Sequence, residues 1–256
     1  MLARSLVGRY GPRLGTLRRP TPLSDHWGAD RGMPIDRYYI ERFLESRSAA
    51  ISGRVLEVRD SRYTEQFGTG VTRTDIVDLD ATNPAATIVA DLTSADRIPS
   101  DSFDCFVLTQ TLQFVYDVGA AVRESHRVLR TGGVLLATVP AVSKIDRHAG
   151  VDGDFWRFTA ASCRRLFGSV FGADQVQVRA YGNVLAAIGF LTGLARDDLS
   201  DAELDIDDEL FPVLVGVQGV KGASVIPVRL GDTTMTRLSA PAESPRSDTA
   251  GHAPIR

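Results

Sequence analysis

Short apolar segments alternate with stretches of helical periodicity through the middle of the chain. The pattern predicts strands at residues 54–58, 71–76, 87–90, 103–108, 134–139, 176–180 and 213–220. It predicts helices from Pro34 onward and at residues 117–129, 159–167 and 184–195, and a short helix or turn at residues 61–67. Apolar strands that alternate with helices are typical of parallel strands covered on both faces. The sequence therefore predicts an α/β domain whose ligands bind at the carboxyl ends of the strands.

The two ends of the chain differ from this middle part. Residues 1–32 carry scattered arginines among Gly, Pro and Leu, and they predict a loosely ordered leader that packs on the domain. A targeting or anion-binding segment is the alternative interpretation. Residues 229–256 are rich in Pro, Ser, Thr and Ala, which predicts a disordered tail. The expected domain spans residues 33–228.

Composition narrows the classes of function. The net charge of −3 provides no global basic field for nucleic acid, and we expect none as a partner. No run of 18 apolar residues occurs, so we expect no membrane span. The two cysteines, Cys105 and Cys163, lie in apolar patterns and are predicted to be buried free thiols in a reducing cytoplasm. Only two of the 29 basic residues are lysines, which indicates a GC-rich bacterial genome.

Three acids close predicted strands, in the order Glu57, Asp75 and Asp91. A ribose diol needs a carboxylate acceptor at the end of the second strand, and Asp75 follows Glu57 by 18 residues. A single acid of this kind is as well explained by a solvated loop or a helix cap. The ordered set is more specific, and it predicts a nucleoside ligand without a phosphate-binding loop.

These segments resemble the class I S-adenosylmethionine-dependent methyltransferases. The resemblance is carried by residues 55–58, 71–75, 90–92, 103–113 and 127–135, the last reading Arg-Val-Leu-Arg-Thr-Gly-Gly-Val-Leu. It implies a Rossmann-like, seven-stranded, mostly parallel sheet with helices on both faces and an antiparallel last strand near residues 213–220. It implies S-adenosylmethionine as cofactor. The residues that it assigns to cofactor binding are Glu57, Arg59, Asp60, Asp75, Asp91, Leu92, Thr109 and Gln110.

A narrower resemblance is to a bacterial group of uncharacterised methyltransferase-domain proteins. Residues 36–41, 63–64 and 154–159 carry it. Some members of that group accompany glycosyltransferases. The resemblance therefore implies a glycan context and association with glycosyltransferases.

The first turn departs from the family pattern. Family members place three glycines after the first acid, whereas this chain has Arg59, Asp60, Ser61, Arg62 and Tyr63 after Val58. Glycine permits positive φ and close approach of backbone to ligand. Arg59 could adopt an ordinary turn, place a cation in the methionine pocket, or pair with Glu57 or Asp60. The departure leaves two hypotheses, an active cofactor site and a degenerate fold.

Catalytic candidates come from the acceptor loop after the fifth strand. The candidates are Asp146, His148, Asp152 and Asp154, of which His148 and Asp154 are the predicted catalytic residues. A base removes the proton of a hydroxyl acceptor, although methyl transfer itself depends mostly on positioning. An exposed loop histidine is the alternative for His148. No His, Cys, Asp or Glu spacing predicts a metal site.

The resulting hypothesis is methyl transfer to oxygen of a small-molecule or glycan acceptor. A non-catalytic domain that serves as a partner in glycan or polysaccharide synthesis is the second hypothesis. A dinucleotide-dependent oxidoreductase is the third, and it lacks the glycine-rich pyrophosphate turn that it would need.

Overall fold

A computed structural model describes residue 15 and residues 18–223. Its core is one seven-stranded sheet with the strand order β3-β2-β1-β4-β5-β7-β6. Strand β7 runs antiparallel to both of its neighbours, β5 and β6, and the remaining pairs are parallel. The predicted fold class, including the antiparallel last strand, is confirmed. The strands are β1 Gly53–Val58, β2 Val71–Asp78, β3 Ile88–Val89, β4 Phe103–Thr109, β5 Leu129–Pro140, β6 Val176–Tyr181 and β7 Leu214–Val220.

Helices cover both faces of the sheet. The helices are α1 Ile35–Glu45, α2 Arg62–Phe67, α3 Val118–Val128, α4 Ala160–Phe171, α5 Val184–Thr192 and α6 Asp201–Leu204. One core contains α3 and α4, and the other contains α1, α2, α5 and α6. Alternate side chains of β4 pack in the two cores, with Phe106 and Leu108 on one side of the sheet and Cys105 and Val107 on the other. This two-sided burial explains the continuous apolar run of that strand.

Helix starts follow the local sequence. The side chain of Thr159 accepts from the Ser162 backbone N–H, and the Ser162 hydroxyl accepts from the Thr159 N–H, which closes a capping box at α4. Asp117 accepts from the Ala120 N–H at 2.8 Å and begins α3. Strand β5 is longer than the predicted segment 134–139. It begins at Leu129, directly after α3, and contains Gly132 and Gly133.

Part of the predicted leader packs on the domain. The Leu23 N–H donates to the Thr192 carbonyl at the end of α5 at 2.7 Å, and Ser24 is buried. The Trp27 Nε1 donates to the Ser143 hydroxyl at 3.0 Å, which links this segment to the loop after β5. The domain limits at residues 33 and 228 stay predictions. The predicted tail, residues 229–256, lies outside the described residues.

The sheet reverses its winding between β1 and β4. Strand β2 lies on one side of β1, and β4 lies on the other, so a crevice opens where both strands end. Within the described residues, no helix is long and apolar enough to cross a membrane.

Candidate functional site

Two adjoining cavities lie at the carboxyl ends of the strands. The first, here called the strand-end cavity, has a volume of about 420 Å³ and is lined from the ends of β1, β2 and β4. The second, the outer cavity, has a volume of about 480 Å³ and is lined from residues 26–37, from the loop after β5 and from residues 154–157. Residues that line both are Arg37, Arg59, Arg62, Gln110 and Phe114.

The turn after β1 keeps a glycine-like backbone at Arg59. Its φ is +75°, in the left-handed region that L residues rarely adopt. The Arg59 N–H donates to the Val77 carbonyl at 2.9 Å, and the Asn83 side-chain amide donates to the Arg59 carbonyl at 2.7 Å. The turn therefore has the positive φ that glycine would supply. The Arg59 side chain pairs with neither Glu57 nor Asp60 among the described contacts, and it lines both cavities.

Two predicted cofactor acids hold the start of α2. Glu57 is buried and accepts from the backbone N–H groups of Tyr63 at 3.0 Å and Thr64 at 2.8 Å. Asp60 accepts from the Arg62 N–H at 3.0 Å. Burial raises the pKa of Glu57, against the lowering effect of its hydrogen bonds with Thr64 and Tyr63. Both acids line the strand-end cavity, with part of their acceptor capacity used by the helix.

The structure corrects the expected position of Asp75. Strand β2 continues two residues beyond the predicted end, so Asp75 lies opposite Leu56 inside the sheet. Its carboxylate is buried and accepts from Arg54 Nε at 2.7 Å and Arg73 Nη2 at 2.6 Å. Asp75 lines neither cavity. Its described contacts are ion pairs within the sheet, and they give no support to its predicted contact with the ribose.

Asp78 occupies the place that was expected for Asp75. It is the last residue of β2 and lines the strand-end cavity. The Asn83 amide donates to Asp78 Oδ2 at 2.6 Å as well as to the Arg59 carbonyl. Asn83 thus fixes the carboxylate and the Arg59 turn relative to each other.

Asp91 and Leu92 are also displaced from their expected role. Asp91 lies two residues beyond β3, where it accepts from the backbone N–H of Thr93 at 2.7 Å and from its hydroxyl at 2.8 Å. Leu92 is buried in the core beside α3 and α4. Neither residue lines a cavity, so the described geometry gives no support to their predicted contact with the adenine.

Thr109 and Gln110 lie where the sequence predicts, at the end of β4. Gln110 is a second left-handed residue, with φ +45°, and its N–H donates to the Thr138 carbonyl at 2.9 Å. Gln113 Nε2 donates to the Gln110 carbonyl at 2.9 Å. This leaves Gln110 Nε2 and Gln113 Oε1 enclosed and without a partner among the described residues. Because enclosed polar atoms are normally paired, this donor and acceptor are suited to a ligand.

The structure does not place the predicted catalytic residues, His148 and Asp154, as a proton-accepting pair. His148 is exposed and lines neither cavity, so the described geometry gives no support to its predicted catalytic role. Asp154 lines the outer cavity, but Arg157 holds it with two bonds of 2.6 and 3.0 Å. Burial acts to raise the pKa of Asp154, and the bonds from Arg157 and from the Asp146 N–H outweigh it and lower the pKa. A carboxylate held in this way is a poor proton acceptor.

Sequence reasoning missed several groups of the outer cavity. Asp36 lines it from α1, with Oδ1 enclosed and unpartnered within the described chain, and burial raises its pKa. Arg37 donates to the Tyr63 hydroxyl at 2.7 Å, and Lys144 Nζ lies 3.4 Å from the centre of the Trp27 ring. The Asp36-Arg37 pair begins the segment 36–41 that carries the narrower resemblance, but that resemblance assigned it no role. The Trp27-Lys144 contact spans two distant segments and had no sequence signal.

Comparison with known proteins supplies the family. Residues 56–137 match the family model described as "Methyltransferase domain". This part of the chain is therefore similar to a methyltransferase domain. The matched residues run from β1 into β5, and they confirm the resemblance to the class I S-adenosylmethionine-dependent methyltransferases. No curated protein matches the chain.

Solved structures share the fold of this chain at low identity. The [4+2]-cyclase SpnF is 14% identical, with 75% of this chain and 83% of that chain covered and a TM-score of 0.50. An S-adenosylmethionine-dependent methyltransferase from Mesorhizobium loti is 18% identical, with 73% and 99% covered and a TM-score of 0.48. One from Archaeoglobus fulgidus is 9% identical, with 72% and 94% covered and a TM-score of 0.47. A cyclase among them shows that the fold alone does not define the reaction.

Proposed function

We propose that this domain transfers the methyl group of S-adenosylmethionine to a hydroxyl of a small-molecule or glycan acceptor. The observation that carries the proposal is the pair of adjoining cavities at the reversal of strand order. One cavity lies on the strand ends, where sheets of this type bind nucleosides. The other opens beside it and offers an acceptor direct access to the first.

The residues of the strand-end cavity fit the cofactor. Asp78 offers the carboxylate acceptor that a ribose diol needs, and Gln110 Nε2 offers an enclosed donor without a partner among the described residues. The Arg59 turn supplies the positive φ that the family obtains from glycine. When bound, the cofactor supplies an electrophilic methyl group on a sulfonium. The task of the chain is then to position the acceptor and to remove its proton.

Asp36 is the best-placed proton acceptor of the outer cavity. Its Oδ1 is enclosed and unpartnered within the described chain. Burial raises its pKa, although Arg37 opposes the shift, and a raised pKa makes a carboxylate a stronger base near neutral pH. In the proposed reaction the acceptor hydroxyl gives its proton to this carboxylate. Asp36 replaces His148 and Asp154 in that role.

Exposed aromatic rings near the outer cavity favour a ring-shaped acceptor. Phe155 and Trp156 follow Asp154, and both pack against Tyr116 with ring centres 5.4 and 6.1 Å apart. All three rings are exposed. Aromatic faces bind the apolar faces of sugars and other rings, which fits the glycan context of the narrower resemblance. Association with glycosyltransferases and a cytoplasmic location belong to this proposal.

A non-catalytic domain is the second candidate. It is favoured by the replaced glycines and by the use of Glu57 to hold the start of α2. Under this alternative the strand-end cavity binds no cofactor.

Calorimetry with S-adenosylhomocysteine tests the proposal. We expect the wild type to bind and Asp78→Asn to bind at least tenfold more weakly, because a charge-assisted hydrogen bond contributes about 1.5–3 kcal/mol. Asp75→Asn is the matched control, and it should lower stability while keeping the affinity within threefold. A tenfold loss in Asp75→Asn alone would return the ribose role to Asp75. No binding by the folded wild type would favour the non-catalytic candidate.

A further inference from the structure

The outer cavity contains more basic than acidic side chains. Its basic side chains are Arg37, Arg59, Arg62, Lys144 and Arg157. Its acids are Asp36, Asp146 and Asp154. The excess is local, because the whole chain has a net charge of −3. A surplus of one sign in a cleft indicates a ligand of the opposite sign.

The three acids offset only part of this positive charge. Arg157 and Asp154 neutralise each other at 2.6 Å. Asp146 accepts from the backbone N–H groups of His148 at 2.6 Å and Ala149 at 3.2 Å, so its carboxylate holds the loop. Even with Asp36 charged, as a proton acceptor must be, five basic side chains face three acids in this cavity.

The basic groups themselves are weakly engaged. Arg62 reaches Glu41 at 3.4 Å, and Arg37, Arg59 and Lys144 form no ion pair with any residue in the described part of the chain. Lys144 Nζ lies over the Trp27 ring, and its other contact is with the Ile145 carbonyl at 3.3 Å. An ammonium group in such a wall can bind an anionic oxygen without breaking an existing pair.

A second observation points to a polar ligand in the same cavity. Gln113 lines it and is only 6% exposed, yet its Oε1 has no partner among the described residues. Buried amide oxygens are normally paired with protein or water. The wall therefore combines charged donors with an enclosed acceptor, which suits an anionic group attached to a hydroxyl-bearing body.

We propose that the methyl acceptor carries a carboxylate or phosphate group, bound by Lys144 together with Arg37 and Arg62. This inference rests on the proposed function and names its substrate class. Lys144 is decisive, because it lines the outer cavity and not the strand-end cavity, so its charge serves the acceptor rather than the cofactor. Arg37 and Arg62 face the same space from α1 and α2 and offer forked donors to two oxygens.

Calorimetric titration with charged and uncharged probes tests the inference. The probes are benzoate and glucose 6-phosphate, with benzyl alcohol and glucose as their uncharged counterparts, on the full chain in low salt. We expect each charged probe that binds to have an affinity at least tenfold higher than that of its uncharged counterpart. Lys144→Met should reduce this ratio of affinities at least fivefold. Arg165→Met is the matched control: it removes an exposed charge of α4 that lines neither cavity, and it should leave the preference unchanged. If Lys144→Met unfolds, Arg62→Gln replaces it with the same expectation.

The outcomes separate this inference from the proposed function. Equal affinity for charged and uncharged probes would overturn the inference, as would an equal loss in Arg165→Met. Titration with S-adenosylhomocysteine alone tests the cofactor site independently. Cofactor binding without any preference for the charged probes refutes the anionic acceptor and leaves methyl transfer standing. Anion preference without cofactor binding refutes methyl transfer and leaves the anion site standing.

Discussion

Two substitutions of Arg59 distinguish the effect of its backbone conformation from the effect of its side chain. Arg59 has φ +75°, and a left-handed L residue costs about 1–2 kcal/mol. Glycine removes that cost but adds unfolded-state entropy of about 0.5–1 kcal/mol, so Arg59→Gly should stabilise the fold by about 1 kcal/mol. Arg59→Ala removes the same guanidinium and keeps the Cβ atom. We therefore expect the alanine variant to be less stable than the glycine variant by about 1 kcal/mol.

Thermal unfolding measures the effect of the backbone conformation on stability, and calorimetry measures the effect of the side chain on cofactor binding. A difference of 1 kcal/mol corresponds to about 2–4 °C in Tm for a domain of this size. Equal Tm values for the two variants would refute the backbone argument. Both variants should bind S-adenosylhomocysteine within threefold of the wild type, because the chain already supplies the required turn. No binding by the wild type, with clear binding by both variants, would show that the guanidinium obstructs the cavity and would favour the non-catalytic domain.

Two further predictions concern buried ionisable groups. The folded-state pKa of Asp154 is lowered, so its stabilising contribution is present above the unfolded-state value of about 3.9 and is lost as pH falls through the folded value. Asp154→Asn should therefore destabilise the fold by about 1–3 kcal/mol at neutral pH, and urea unfolding should show the difference shrinking at acid pH. A constant difference at all pH values would contradict the assignment. Burial raises the pKa of Cys163 to about 12 and that of Cys105 further. A thiol-specific chromogenic reagent should leave both thiols unmodified in the folded protein and label both in urea, and rapid labelling of the folded protein would contradict their burial.

Local signals predicted the elements of the fold well. The capping box at Thr159 and the N-cap at Asp117 use interactions within one turn of helix, so the sequence alone contains them. The two-sided burial of β4 likewise appears as a continuous apolar run. The antiparallel direction of β7 came from the family resemblance, because apolar content does not encode strand direction.

The position of Asp75 could not be predicted from local pattern. Strand β2 ends with the sequence Asp75-Ile76-Val77-Asp78. The sequence pattern alone allows either acid to be the last residue of the strand. Burial of Asp75 depends on Arg54, which reaches it from the neighbouring strand. That partner is 21 residues away in sequence and becomes a neighbour only when the strands pair. Cross-strand register therefore decides which acid faces the cleft.

The outer cavity could not be predicted from the sequence for a similar reason. Its walls come from segments around Trp27, Arg37 and Lys144, which have no common motif. The chain between these segments forms most of the sheet, so their proximity is a property of topology. His148 is the converse case: the loop after β5 lines the outer cavity at Ser143, Lys144 and Asp146, but the direction of the exposed His148 side chain had no sequence signal.

Backbone strain is concentrated at the proposed site. Four non-glycine residues of the described chain have positive φ, and three of them, Trp27, Arg59 and Gln110, line the cavities. Each such residue costs on the order of 1–3 kcal/mol and persists only where surrounding contacts fix it. Asn83 supplies that fixation for Arg59 by binding the Arg59 carbonyl and Asp78 together. A turn that kept only a structural role could relax to an ordinary conformation, so its retained strain favours a ligand-binding site over a degenerate fold.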